Sequence, residues 1–383
     1  MRIGTSLVSI AVWGALGCMA NPGDETSEHV SVTSNALRSV GATFLGSLPA
    51  TPSVSASTIP SDGDVNPYGI AFVPPGFPSG GLLRPGDVVV ANFNNSANLQ
   101  GTGTTIVRVH SGAAPTLFFQ DTAEPGFSTA LGVLRRGFVI VGTVPSTDGS
   151  GTCTSGSDGQ PNNVGSGSLL VIDSRGKLVE RLTDDALLDG PWDLTVDDDG
   201  DTAQIYVSNV LRGSVTRLDV SVGKTVDVLR KTQIASGYGH RCDSAAFVVG
   251  PTGLALDPVT NTLFVASTAD NAIYAVAKAN RTLTDEGKGR VVVDDTVHLH
   301  GPLGLARTRG GHLISAQGDA VNADAAHPSE IVEFTEHGAF VDEFSIDPAP
   351  GSAFGLALEQ GPFGARFAAV DDGLNVLDVS TVR

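Results

Sequence analysis

Basic residues, aromatics, cysteine and long apolar runs are all scarce in this chain. Only 23 of its 383 residues are Lys or Arg, against 41 Asp or Glu, which gives a formal net charge of −18 and a pI near 4.6. So acidic a chain offers neither the phosphate-neutralising surface that nucleic acids need nor attraction to anionic lipid. Helical periodicity is absent throughout, and the apolar run Ile3–Leu16 is too short to span a bilayer. No GxSxG, HExxH, Walker or GxGxxG context appears. Gly101–Thr105 is Gly-rich but opens a strand, so it lacks the helix N-terminus that cradles phosphate. The acidic run Asp197–Asp201 fails as a calcium loop. Counting back from Gly200 puts Thr195 at the first ligand position, and no Glu closes the loop. It reads as a solvated turn. Asn94-Asn95-Ser96 would be a glycosylation acceptor only in a eukaryotic secretory route.

What the chain does have is a repeat. Gly250–Ala279 reads as three strands: GLALD, a turn at Asp257–Asn261, TLFVAS, a turn at Thr268–Asn271, then AIYAVAKA. Its anchor, a small turn followed by Gly-apolar-Ala, recurs around Gly69, Gly132, Asp193, Gly304 and Gly355, at intervals of 51 to 63 residues. Each anchor is followed by a second and a third strand, such as DVVVANF from Asp87 and TIVRVH from Thr105. About four strands per unit at this period predicts an all-β, six-bladed β-propeller. Inner strands crowd around the axis, which is why the anchor carries Gly. The last unit ends one strand short, and Ala42–Leu48 is expected to supply that strand and close the ring.

Residues 1–20 read as a signal segment, with Arg2 as its positive region. Ala15-Leu16-Gly17-Cys18 resembles a bacterial lipoprotein signal, with Cys18 the residue acylated; ordinary cleavage after Ala20 is the alternative. Either route implies export, as a lipoprotein of the outer membrane, periplasm or cell surface, or as a secreted protein. Any membrane contact would then run through the lipid anchor. Residues 21–40, polar and without period, read as a flexible linker, and 41–383 as the propeller. Setting Cys18 aside leaves Cys153 and Cys242, neither in a CxxC, both in Gly- and Ser-rich excursions. An even pair in an oxidising compartment predicts a disulfide between them.

Polar residues gather where first strands start and second strands end, positions that share one face at the channel mouth. They are Asn66, Tyr68, Asn92, Asn94, Trp192, Asp193, Asn209, Arg212, Asp270, Asn271, Gln317, Asp319, Asn322, Asp371 and Asp372. Together they suggest a binding face; singly, Asn and Asp satisfy turn backbone. Asp193 stands where the other anchors carry Gly, which suggests a side chain aimed into the channel, and Asp193→Gly is expected to leave stability near wild type. Trp192 beside it either stacks on a ligand or plugs the channel. His240, His298 and His300 precede anchors, without ligand spacing.

Pro251–Asp257 with Thr262–Ser267 and Asn271–Tyr274 resembles NHL-repeat propellers, and the resemblance extends over about residues 41–383. It implies the fold, and it is shared with exported bacterial proteins of unknown role. Relatives of that fold include metal-dependent lactonases of the gluconolactonase type, whose pattern places Glu, Asn or Asp ligands at such anchors. Here the residues before the anchor Gly are Tyr68, Leu131, Thr252, Leu303 and Phe354, with Trp192 before Asp193, none a hard-metal ligand. The first expectation is therefore a monomeric, non-enzymatic extracytoplasmic propeller that binds a small molecule, glycan or protein on the channel face. The alternative is a lactonase- or lyase-like enzyme holding calcium, zinc or manganese on that face through Asp193, Asp319, Asp371 and Asp372.

Overall fold

The computed structural model describes residues 43–157, 160–318, 320–328, 330–362 and 364–382. Cys18, the linker and Asp319 lie outside them. The described residues form six four-stranded antiparallel sheets. Blade 1 runs Val65–Phe72, Val88–Asn94, Thr105–Val109 and Thr116–Gln120. Blade 2 runs Phe127–Leu134, Phe138–Thr143, Leu169–Asp173 and Leu178–Leu182. Blade 3 runs Pro191–Asp198, Thr202–Asn209, Ser214–Val222 and Val226–Ser236. Blade 4 runs Pro251–Asp257, Thr262–Ser267, Ala272–Val276 and Arg290–Val293. Blade 5 runs Pro302–Arg307, His312–Gln317, Glu330–Thr335 and Phe340–Ser345. Blade 6 uses both chain ends: Ala353–Gly361, Gly364–Asp371 and Val376–Val382, then Val54–Ser57. This is the six-bladed β-propeller that the repeat predicts.

Second strands such as Val88–Asn94 and Phe138–Thr143 are buried along their whole length, whereas the outer strand Phe340–Ser345 is largely open to solvent. The reason is blade-on-blade packing, which covers both faces of the middle strands. The core is accordingly a set of layers between blades. Leu134, Ile140 and Val171 of blade 2 meet Ile205, Val207 and Leu218 of blade 3, for instance. Each such side chain contributes about 1.5–3 kcal/mol by leaving water.

The ring closes through its two ends, but not through the expected segment. Val54–Ser57 pairs antiparallel with the last strand, Val54 opposite Val379 and Ala56 opposite Leu377. Val-Ser-Ala-Ser alternates with the period a strand needs, whereas Phe44 and Leu45 are adjacent apolar residues. They form instead a single 3-10 turn, Leu45–Ser47. The Phe44 and Leu45 backbone N–H groups donate to the buried Glu333 carboxylate at 3.1 and 2.9 Å.

Every first strand breaks register at its anchor, for example between Pro251 and Leu254 and between Pro302 and Leu305. Such a bulge turns the preceding side chain toward the axis. At two anchors the need for Gly is explicit. A Cβ on Gly253 would strike the Leu303 carbonyl, and one on Gly355 the Tyr68 carbonyl, each in the next blade. Blade 2 departs from the expected pattern. Leu131 pairs with Val141 as Ile70 pairs with Val90, so Ala130, not Gly132, holds the anchor position. Asp193 is thus one of two anchors without Gly.

Candidate functional site: a blind channel with one carboxylate in its wall

At the end where first strands start, aromatic side chains close the axis. The residues that precede anchors in blades 1, 3, 5 and 6 (Tyr68, Trp192, Leu303 and Phe354) turn inward and pack as one cluster. Tyr68 stacks between Phe93 at 4.5 Å and Phe354 at 4.2 Å between ring centres, and Phe93 meets Trp192 edge-on at 5.5 Å. Tyr68 and Trp192 are each only 1% exposed. Burial holds the Tyr68 hydroxyl well above its ordinary range, with the Asp372 carboxylate adding to the rise. Of the two roles open to Trp192, the packing gives it that of a plug.

Below the plug lies a cavity of about 260 Å³, lined by Ile70, Leu131, Leu254, Leu305 and Leu356, with Asp193 in its wall. It continues into a wider vestibule of about 530 Å³ where first strands finish, bordered by Phe72, Arg135, Asp197 and Glu359. The cavity is therefore blind at the plugged end and opens at the other. Asp193 Oδ1 accepts the Leu194 N–H at 2.7 Å and Oδ2 accepts the Leu254 N–H at 3.0 Å. Burial nevertheless raises its carboxyl well above the usual range, because two backbone bonds offset only part of the lost hydration. Near the open end Arg307 is held by Asp257 at 3.4 Å and by Glu336.

The other described polar residues expected on the channel face do not line the cavity or its vestibule. Asn92 is fully buried, its amide donating to the Thr58 carbonyl at 3.1 Å and Thr105 Oγ1 at 3.2 Å. Asn209 donates to the Leu187 carbonyl and Thr216 Oγ1, and Asn94 to Asn98. Asn66, at positive φ, gives its backbone N–H to Asn375 Oδ1 at 2.6 Å. Asn271 and Asn322 both donate to the Leu299 carbonyl, and Gln317 accepts the His300 N–H. Arg212 donates to the Asp185 carbonyl. Burial alone would raise Asp270, but bonds from Lys288 at 2.9 Å, Ser267 and Gly239 hold it below the usual value. Asp371 is raised by burial and caps Leu374, and Asp372 is pushed up to about 7 by burial and by Asp371 beside it. Turn and rim backbone takes up most of these side chains, the role such residues have singly.

The six apolar wall residues were missed by reading polar positions alone. A signal for them was present, since the apolar residue that follows the anchor in each repeat supplies the wall: Ile70, Leu131, Leu194, Leu254, Leu305 and Leu356.

Among the described residues no three His, Cys, Asp or Glu side chains converge so as to hold a metal ion. The one carboxylate lining the cavity has both oxygens engaged by backbone N–H groups. This donor set does not fit a divalent cation held by several carboxylates.

Fold and cavity together define a six-bladed β-propeller with a blind axial channel. No protein-family model matches the chain, and no curated protein matches it. Similar solved structures include a gluconolactonase from Xanthomonas campestris (18% identity, 84% of this chain and 88% of that one, TM-score 0.46). The calcium-binding protein regucalcin from Agrobacterium tumefaciens is another (15% identity, 87% and 97%, TM-score 0.48). A third is a luciferin-regenerating enzyme (11% identity, 86% and 94%, TM-score 0.48).

Proposed function

We propose that this protein is an exported binding propeller that holds a small polar molecule in its axial channel, admitted where first strands finish. The observation that carries this reading is the Asp193 carboxylate, set with Thr129, Thr195 and Arg307 among aliphatic side chains in the wall of a cavity closed behind it. The aliphatic side chains supply contact area, and a few fixed polar groups supply orientation. First strands pair on one side only, so their free edges also turn backbone N–H and C=O groups toward the axis. Hydroxyl-bearing ligands such as sugars match such a lining. Export is supported by the pairing of Cys153 with Cys242, which suits an oxidising compartment. Cys18 is the proposed point of lipid attachment.

The test is ligand-observed saturation-transfer NMR against a pool of neutral polyols, lactones and short glycans. Wild type should show transfer to at least one member. Leu356→Phe, which fills the cavity, should abolish it, and Asp193→Gly should weaken it. Val291→Ala, on the outer strand of blade 4, should bind as wild type does. Equal transfer in all four proteins, or loss only in Val291→Ala, would overturn the assignment.

A further inference from the structure

The plugged end of the channel carries an element that belongs to no blade. Arg241–Asp243 and Phe247–Val249 form a separate two-stranded hairpin, Cys242 opposite Val248. Asp243 Oδ1 tightens its turn by accepting the Ala245 and Ala246 N–H groups at 2.9 and 3.0 Å. Phe247 sits at φ 65, a strained backbone for a bulky side chain. It is nevertheless buried, its ring edge-on to Phe93 at 6.0 Å, and Val248 joins the same cluster as Trp192. A hairpin with three-residue strands does not hold itself together in water. Besides the packing of Phe247, Val248 and Val249, two ties hold this one down: the Cys153–Cys242 disulfide to the blade 2 excursion, and the Gln100 side-chain amide donating to the Ala245 carbonyl at 2.8 Å. Both cysteines keep some accessible surface, so a thiolate can reach the bond.

We propose that the Cys153–Cys242 bridge is a redox-sensitive latch on a cap. Its reduction releases the hairpin, withdraws Phe247 from the plug and opens the channel at its closed end. The reductant is a dithiol. It gives up two electrons and two protons and becomes a disulfide, while the protein S–S bond breaks to two thiols. Freed of the bridge, Phe247 relaxes from its left-handed backbone. Trp192, whose indole N–H has no acceptor in the plug, then gains water as a partner. The latch acts whatever the cavity binds.

The chain has two Trp, and Trp13 lies in the proposed signal segment, so Trp192 is its own reporter in processed protein and, once Trp13 is replaced by Phe, in the unprocessed chain as well. In full-length Trp13→Phe protein, acrylamide quenching of Trp192 should rise severalfold on treatment with a dithiol and fall again on reoxidation. Far-UV circular dichroism and the cooperative melt should persist. With the disulfide intact, Phe247→Ala should raise quenching without reductant. The Cys153→Ser/Cys242→Ser pair should quench like reduced protein under either condition. If the pair does not fold, reversible reduction of the Trp13→Phe protein still decides. Quenching unchanged by reduction overturns the latch, and so does exposure of Trp192 only when the cooperative melt is lost.

Discussion

Asp193 of blade 3 and Leu254 of blade 4 are joined across the seam between their blades, carboxylate Oδ2 to backbone N–H at 3.0 Å. At the next seam the Gly253 backbone approaches blade 5 so closely that no side chain fits. The carboxylate of Asp193 therefore acts as a strut where the seams at Gly253, Gly304 and Gly355 rely on direct backbone approach.

Removing the strut has a cost that repeat alignment does not reveal. Asp193→Gly restores the common anchor residue but leaves the Leu194 and Leu254 N–H groups without their acceptor, a loss of about 1–3 kcal/mol. Asp193→Asn retains one acceptor oxygen and should lose less. Thermal unfolding of the two variants checks the order. Equal stability of Asp193→Gly and wild type would remove the strut.

Asp372 should make stability depend on pH in the unusual direction for a carboxylate. Its folded value of about 7 lies above the ordinary 3.8, so the folded state binds the proton more readily than the unfolded chain. Its contribution is fully present below about pH 4 and is lost as pH rises through 7. The rise corresponds to ~4 kcal/mol at full burial, which remaining solvent contact reduces to about 2 kcal/mol. Asp372→Asn should therefore be more stable than wild type by about that amount at pH 8, with the gap closing by pH 4. Denaturant unfolding at both pH values measures it.

Closure of the ring by Val54–Ser57 predicts a sharp truncation boundary. A chain beginning at Pro52 retains the closing strand and should stay monomeric. One beginning at Ile59 leaves the edge of Val376–Val382 unpaired and should aggregate. Size-exclusion chromatography separates the outcomes. Monomeric behaviour of the shorter chain would show that closure is dispensable.

Cys18→Ser tests the proposed lipid anchor. The variant should leave the membrane fraction while keeping the wild-type melting temperature, and unchanged fractionation would rule out acylation at Cys18.

Sequence periodicity carried the blades to within a residue or two. The strands read in Gly250–Ala279 are Pro251–Asp257, Thr262–Ser267 and Ala272–Val276. It also carried the disulfide, through the simple evenness of Cys153 and Cys242. It misplaced the closing strand because Phe44–Leu45 looked apolar enough, and only alternation distinguishes Val54–Ser57. The anchor of blade 2 was misread because its Gly, Gly132, lies two residues past Ala130, the residue whose register matches the other anchors. The polar ring at the strand starts was legible as composition, but not as geometry. Whether Asn92 faces an axis or a neighbouring turn depends on Thr58, which lies far away in sequence. Phe247 gave no local signal, since its place in the plug is set by a hairpin and a bridge from another blade.

Pairing of Val54 with Val379 also orders events in time. Blades 1 to 5 are assembled from local hairpins, which form quickly, whereas blade 6 waits for the final residues of the chain. Long-range closure of this kind is slow, because the loop entropy is lost before the contacts are gained. During that interval the Val376–Val382 edge is open to any matching strand, including Val54–Ser57 of another molecule. Crowded refolding should therefore yield strand-exchanged dimers, in which each molecule completes the other's last blade.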